Sequence, residues 1–138
     1  MKRVFTTIIC LVLVFTMLGA SAAYAAIESN AYISSFSGAV SVANDGTVTV
    51  NFGTLGTGKM DKIGAYAISV YENGSWVATY YAANSNYTAT MMGTNAYHFY
   101  GYVTYAGTKG NTYYALITHY AEKDGGSGTE NLWTDYAT

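Results

Sequence analysis

Proline is absent from this sequence of 138 residues, cysteine occurs once, and charged side chains make up only 10% of it. Without proline there are no proline-rich linkers or PxxP segments, and we expect no proline-containing C-terminal signal for attachment to a cell wall. The formal net charge is −2, whereas nucleic-acid binding needs a basic stripe to displace counterions. The composition therefore predicts one domain without a nucleic-acid partner.

The first 25 residues are typical of a secretory signal peptide. Lys2 and Arg3 form a short positive region, and the apolar run Val4–Leu18 follows. That run is shorter than the ~20 residues that a membrane-spanning helix needs, which argues against the alternative of an uncleaved anchor. Small residues come next, and the triplet 23–25 fits the A-x-A cleavage pattern. We expect a mature domain at 26–138 that is secreted, extracellular and not inserted in the membrane.

Cleavage would remove Cys10, the only cysteine, so the mature chain would have no disulfide and no thiolate metal site. Lys2 and Arg3 would be lost as well, leaving four lysines against eight acidic residues. The mature domain is therefore expected to be mildly acidic and to be held together by its core alone. We expect neither a cofactor nor a metal.

Most of the remaining sequence alternates between apolar and polar residues, as strands do. Thr47–Phe52 places Val48, Val50 and Phe52 on one face. The turn signals 44–46 (Asn-Asp-Gly) and 73–74 (Asn-Gly) predict two hairpins. No segment predicts a crossover helix, which excludes a parallel α/β sheet. About seven strands with regularly spaced turns predict an antiparallel β-sandwich or small barrel.

Four further expectations concern the irregular parts of the pattern. Gly53–Gly64 has two Gly-x-Gly stretches and is expected to form a helical turn or an irregular crossover. Thr88–Met92 is expected to be a short edge strand or a turn, and Asp124–Gly128 a flexible tip. Tyr66 is expected on the core face, together with Ile68.

The stretch Gly110–Ile117 resembles the sixth strand of immunoglobulin-like and fibronectin type III modules. The corner tyrosine of those modules corresponds to Tyr113, so the resemblance implies that its hydroxyl bonds to the loop backbone. The whole mature chain is also similar to small uncharacterised secreted proteins of Gram-positive bacteria with this sandwich fold. That similarity lies in Gly58–Gly64, Ile68–Glu72 and Tyr100–Gly107, and it implies a fold and a location but no activity. The chain departs from fibronectin modules in lacking proline and in having Phe52 where the second strand usually has tryptophan.

A search for catalytic chemistry gives little. The mature chain has two histidines, of which His98 is predicted to be exposed and His119 to lie in the core. No Gly-x-Ser-x-Gly motif accompanies them, and the eight acidic residues are scattered rather than paired. Asp61 is the best isolated candidate, although capping a short helical turn is the simpler role for it. The sequence therefore predicts no catalytic residues.

Tyrosine is the one abundant residue left to explain, with fifteen in the chain. Alternation predicts that part of the aromatic set faces the core and part faces outward. Outward tyrosine and tryptophan offer large rigid surfaces that stack on sugars or anchor a protein. Tyrosine is also simply a favoured strand residue that pairs across strands, and the sequence leaves open whether the outward residues form one patch. The candidate binding residues are Trp76, Tyr100, Tyr102, Tyr114 and Tyr120.

Three functions follow as hypotheses. The first is a secreted, non-enzymatic binding or interaction module whose partner is an unknown extracellular protein or glycan. The second is a carbohydrate-binding module with an aromatic patch. The third, from a different class, is a small hydrolase or toxin that uses His119 or Asp61.

Overall fold

The computed structural model describes residues 30–138, and the predicted signal peptide (1–25) lies outside the described residues. Six strands and one helical turn make up the described chain. In chain order they are β1 (Ile33–Val42), β2 (Thr47–Glu72), β3 (Ser75–Tyr81), α1 (Thr88–Met91), β4 (Met92–Ala106), β5 (Tyr113–Lys123) and β6 (Gly126–Trp133). No helix in this part of the chain is long and apolar enough to cross a membrane.

The long strand β2 organises the sheet because four of the other five strands pair with it. Its first half, 47–56, lies between β1 and β4. Its second half, 62–72, pairs with β5 on one side. On the other side, residues 62–64 pair with β4 and the last six residues pair with β3. β6 extends the sheet beyond β5, and every pairing is antiparallel. The result is one curled six-stranded sheet, which confirms an antiparallel all-β fold.

The number of strands differs from the expected seven because the glycine-rich segment Gly53–Gly64 does not interrupt β2. The prediction of a helical turn or crossover there is wrong. The segment stays extended because backbone partners lie on both sides of it, on β1 up to Gly56 and on β4 from Met60 onward. An irregularity between Leu55 and Met60 absorbs the local change in register.

The inner faces of the two halves of β2 share one apolar core. From the first half and its neighbour β4, the core takes Val48, Val50, Phe52 and Val103; from the second half and β5, it takes Ile68, Val70, Ala115 and Ile117. These side chains pack in a single cluster. The two halves therefore face each other across the core, and their outer faces point away from each other. The prediction that Val48, Val50 and Phe52 share one face is confirmed, and that face is buried.

Tyr66 is on the opposite face from the one predicted. The pairing of β2 with β5 shifts register between Ala65 and Ala67. A bulge of this kind adds one residue and reverses which face the side chains take. Ala65 is consequently buried beside Ile68, while Tyr66 is 51% exposed. Alternation alone does not reveal a bulge.

Two turns and the segment 88–91 can also be compared with the sequence predictions. Asn73-Gly74 makes the predicted tight turn, with positive φ at both residues. Asp124-Gly125 has the same geometry, so the expected flexible tip is instead a two-residue hairpin turn joining β5 to β6. The segment 88–91 is a helical turn, α1, rather than an edge strand, and it brings Met91 into the core.

Tyr113 has the role that the resemblance implied. Its ring is fully buried, and its hydroxyl accepts a hydrogen bond of 2.6 Å from the backbone N–H of Thr108. The hydroxyl also contacts the carboxylate of Glu72, which bonds to Asn111 as well. Burial, together with the bond to Glu72, raises the pKa of Tyr113, and the bonds from Tyr113 and Asn111 lower the pKa of Glu72. The predicted bond to the loop backbone is confirmed.

Candidate binding surface

Aromatic side chains from four adjacent strands line up on the outer face of the half of the sheet that contains 62–72. Tyr71 lies opposite Trp76 on one side and opposite Tyr114 on the other. Trp133 on β6 and Tyr136 just beyond it contact Tyr114. We call Tyr71, Trp76, Tyr114, Trp133 and Tyr136 the aromatic row. With a strand spacing of ~4.8 Å, it extends about 14 Å across β3, β2, β5 and β6.

The row has a rigid centre and exposed ends. Tyr71 and Tyr114 stack with ring centroids 5.0 Å apart and an interplanar angle of 8°, so each covers a face of the other. The ring of Trp133 packs at 5.3 Å from Tyr71 and 5.8 Å from Tyr114. Trp76 and Tyr136, at the ends, are 60% and 73% exposed. Tyr71 and Tyr114 therefore position the row, and Trp76, Trp133 and Tyr136 offer the accessible surface.

Polar neighbours surround the row. The indole N–H of Trp76 donates to Thr79 Oγ1 at 2.9 Å, and Thr79 also bonds to Ser69. Thr118 and Asn131 are bonded to each other farther along the same outer face. Asp135, exposed in the segment between Trp133 and Tyr136, is the acidic residue nearest in sequence to the end of the row. The sequence contains two tryptophans, and both belong to the row.

Tyr100 and Tyr102 lie on the other outer face, that of β1, the 47–56 part of β2, and β4. They line a shallow groove of about 420 Å³, which we call the trough; its lining is Ser37, Gly38, Ala39, Asn51, Phe52, Tyr100, Gly101 and Tyr102. None of these residues is charged. Register places Ser37, Gly53 and Tyr100 side by side, and likewise Ala39, Asn51 and Tyr102.

The ring of Tyr100 lies over the backbone of Gly53. A Cβ at Gly53 would come within 2.6 and 2.7 Å of two adjacent ring carbons of Tyr100. Only glycine leaves room for the ring at this position, an arrangement in which an aromatic residue covers a glycine in the neighbouring strand. Tyr100 nevertheless remains 72% exposed. One side of the ring is supported by the sheet, and the rest is open to solvent.

Tyr120 belongs to a third location. Its ring is 6.1 Å from that of Tyr66, and the two line a cleft of about 390 Å³ with Lys62, Ala82, Ala83, Thr88, Met92 and Thr94. The hydroxyl of Tyr120 donates to Glu122, which is 3.8 Å from Lys62 Nζ. Burial and the bond to Glu122 raise the pKa of Tyr120.

The two histidines lie on different faces of the sheet. His98 is exposed beside Tyr100. His119 is fully buried, with its ring 5.1 Å from Phe36 and its Nδ1 2.8 Å from Thr54 Oγ1. Its Nε2 has no hydrogen-bond partner within the described chain, and burial lowers the pKa of His119 from 6.5 to about 4. The predicted placement of both histidines is confirmed.

The acidic candidates do not gather around either histidine. Asp61 lies in a strand and accepts the backbone N–H of Asp124 at 2.9 Å, so it holds the β5–β6 turn rather than capping a helical turn. Among residues 30–138, no group of three or more His, Cys, Asp or Glu side chains is placed to hold a metal ion.

The five candidate binding residues thus fall in three places. Trp76 and Tyr114 are brought together in the aromatic row, Tyr100 and Tyr102 in the trough, and Tyr120 in the cleft. Sequence reasoning missed Tyr71, Trp133 and Tyr136 as members of the row. Trp133 and Tyr136 lie on β6 and just beyond it. Their contribution depends on how β6 pairs with β5, which alternation within one strand does not reveal.

A scan against protein-family models finds no match to this sequence, and a search of curated proteins finds none either.

Proposed function

We propose that the protein is a non-enzymatic binding module that acts outside the cell and that the aromatic row is its ligand-binding surface. The observation that carries this proposal is the arrangement of the row. Tyr71 and Tyr114 brace one another, and the side chains at either end remain exposed. Rigid aromatic side chains contribute large contact areas at a small entropic cost, which is why tyrosine and tryptophan dominate binding hot spots.

The extracellular location and the finer fold type belong to the same proposal. The apolar run and small-residue triplet at the N-terminus support secretion. The bond from Thr108 to the hydroxyl of Tyr113 supports an immunoglobulin-like or fibronectin type III-like sandwich, as does the single core between the two halves of β2. A relation to the secreted proteins of Gram-positive bacteria agrees with both features.

A glycan is the ligand class that the surroundings of the row favour. Hydroxyl and amide groups of Ser69, Thr79, Thr118 and Asn131 share its outer face. Aromatic faces carry negative partial charge and attract the C–H groups of a sugar ring, while such polar neighbours bond to its hydroxyls. A protein partner is the other candidate for the same surface. Neither candidate requires the buried His119, so the hydrolase or toxin hypothesis gains no support from the site.

The test compares variants of the protein in their retention on immobilised hydroxyethylcellulose, dextran and galactomannan, and on purified bacterial cell envelopes. Trp133→Ala should weaken binding about 30-fold or more, the effect of losing a hot spot worth ~2 kcal/mol. Tyr97→Ala is the matched control because Tyr97 is 60% exposed and lies outside the row and the trough. Equal retention of the two variants would contradict the proposal.

A further inference from the structure

The outer face opposite the aromatic row carries a second surface of similar chemistry. The row lies on the half of the sheet containing 62–72, and the trough on the half containing 47–56. Because the inner faces of these halves share one core, the row and the trough lie on separate outer faces. A ligand segment lying on one of them cannot also cover the other.

The trough suits an uncharged, hydroxyl-rich chain. The ring of Tyr100 is supported from below by Gly53, so an open part of its surface is available for stacking without rearrangement. Ser37 and Asn51 supply a hydroxyl and an amide in the same groove. No charged residue lines it, so nothing there would offset the cost of removing water from a charged ligand.

Both surfaces carry aromatic side chains that are accessible to solvent. Tyr102 is half-exposed beside Tyr100, and Trp76 and Tyr136 are exposed at the ends of the row. Both surfaces are shallow and flanked by short polar side chains rather than enclosed by apolar walls. Such surfaces fit an extended chain lying on the sheet better than a small molecule, which binds in enclosed pockets.

We propose that the protein binds two segments of uncharged polysaccharide at once, one on the aromatic row and one on the trough, and so joins polymer chains. The inference rests on the proposed function and adds to it the second site and the ligand class. Two sites on one rigid domain raise the apparent affinity for a polymer about 10²-fold or more over that for a short oligosaccharide. They also turn a monomeric domain into a cross-linker.

Light scattering of the protein mixed with hydroxyethylcellulose, dextran or galactomannan tests this inference. The native protein should cross-link at least one polymer, with a scattering maximum at intermediate protein-to-polymer ratio and a decline in protein excess. Tyr100→Ala and Trp133→Ala should each abolish the maximum while still binding the polymer in co-sedimentation, with an apparent affinity about 10²-fold lower. Tyr97→Ala should behave as the native protein. Tyr102→Ala and Trp76→Ala provide a second variant for each surface.

The outcomes separate this inference from the proposed function. If Tyr100→Ala and Tyr102→Ala leave the scattering maximum unchanged, the trough is not a binding site and the inference is wrong, although the row remains one. Cross-linking by a dimer with one site per chain would give that result. A different result would overturn the polysaccharide inference and leave the binding module intact. In that case none of the three polymers binds, but a protein ligand does, and Trp133→Ala weakens the binding of that protein. If Trp133→Ala weakens no binding at all, the proposed function fails too.

Discussion

Mild acid should destabilise the protein through His119. The ring is buried between Phe36 and Phe52, and burial lowers the pKa of His119 from 6.5 to about 4. Burial is the cause of this lowered pKa, and Glu130, which lies opposite His119 on β6, does not raise it. Among residues 30–138, Nε2 has no hydrogen-bond partner. As the pH falls, a group whose pKa is lowered in the folded state takes up its proton at a higher pH in the unfolded state than in the folded state. Stability is therefore complete above pH 6.5 and falls as the pH drops toward about 4.

The magnitude follows from linkage between the two pKa values. Between about pH 7.5 and about pH 4.5, a single group with pKa values of 6.5 unfolded and about 4 folded lowers the free energy of unfolding by ~2.5 kcal/mol. In a domain of this size, that loss lowers the melting temperature by roughly 10 °C. Glu72 and Asp45 also have lowered pKa values, but their contributions are lost below their ordinary values of 4.5 and 3.8. The loss of stability between pH 6.5 and pH 4.5 is therefore due to His119.

Urea unfolding at several pH values measures this dependence directly. His119→Leu should remove most of the slope between pH 6.5 and 4.5, whatever its effect on stability near neutral pH. His119→Gln serves the same purpose if the leucine variant does not fold. His98→Gln is the control, since His98 is exposed on the outer face, and it should keep the slope. An unchanged slope in both His119 variants would show that His119 is not the source of the pH dependence.

Three further predictions concern packing and the two aromatic surfaces. Gly53→Ala should displace the ring of Tyr100 but change the free energy of unfolding by only about 0.5 kcal/mol, because the ring is 72% exposed and can turn away; a structure of the variant with native Tyr100 packing would argue against this contact. Tyr113→Phe should cost about 1–3 kcal/mol, measured by urea unfolding, because Thr108 N–H loses its partner; a neutral effect would mean that water replaces the hydroxyl. Tyr114→Ala should weaken ligand binding by loosening Tyr71 and Trp133, and native affinity in that variant would show that the row needs no central support.

Much of the fold could be predicted from local sequence. The alternation in Thr47–Phe52 and in β5 specifies which face is buried, and Asn73-Gly74 specifies a tight turn, because both signals depend on a few adjacent residues. The course of β2 could not be predicted. Glycine-rich segments such as Gly53–Gly64 are usually turns, and here they stay extended only because partners on β1 and β4 pair with them. The bulge at Tyr66 could not be predicted either, because it depends on how β2 pairs with β5.

The candidate site was predictable in composition but not in arrangement. The outward direction of aromatic residues such as Tyr114 and Tyr100 follows from alternation, because their neighbours along the same strand face the core. Whether two of them meet depends on register and on which strands are neighbours. Tyr71 and Tyr114 stack because β2 and β5 are adjacent in that register. Tyr100 lies on the opposite outer face because β4 extends the other half of the curled sheet.

Titration with soluble hydroxyethylcellulose, dextran and galactomannan, followed by the tryptophan emission of the protein, tests whether the aromatic row is the ligand-binding surface. Both tryptophans of the chain belong to the aromatic row, so their emission reports on the row and not on the trough. We expect a saturable change in emission with at least one of the polymers, retained in Tyr100→Ala and strongly reduced in Trp133→Ala. Binding of a polymer, measured by co-sedimentation, without any change in tryptophan emission would contradict the assignment of the row as the ligand-binding surface.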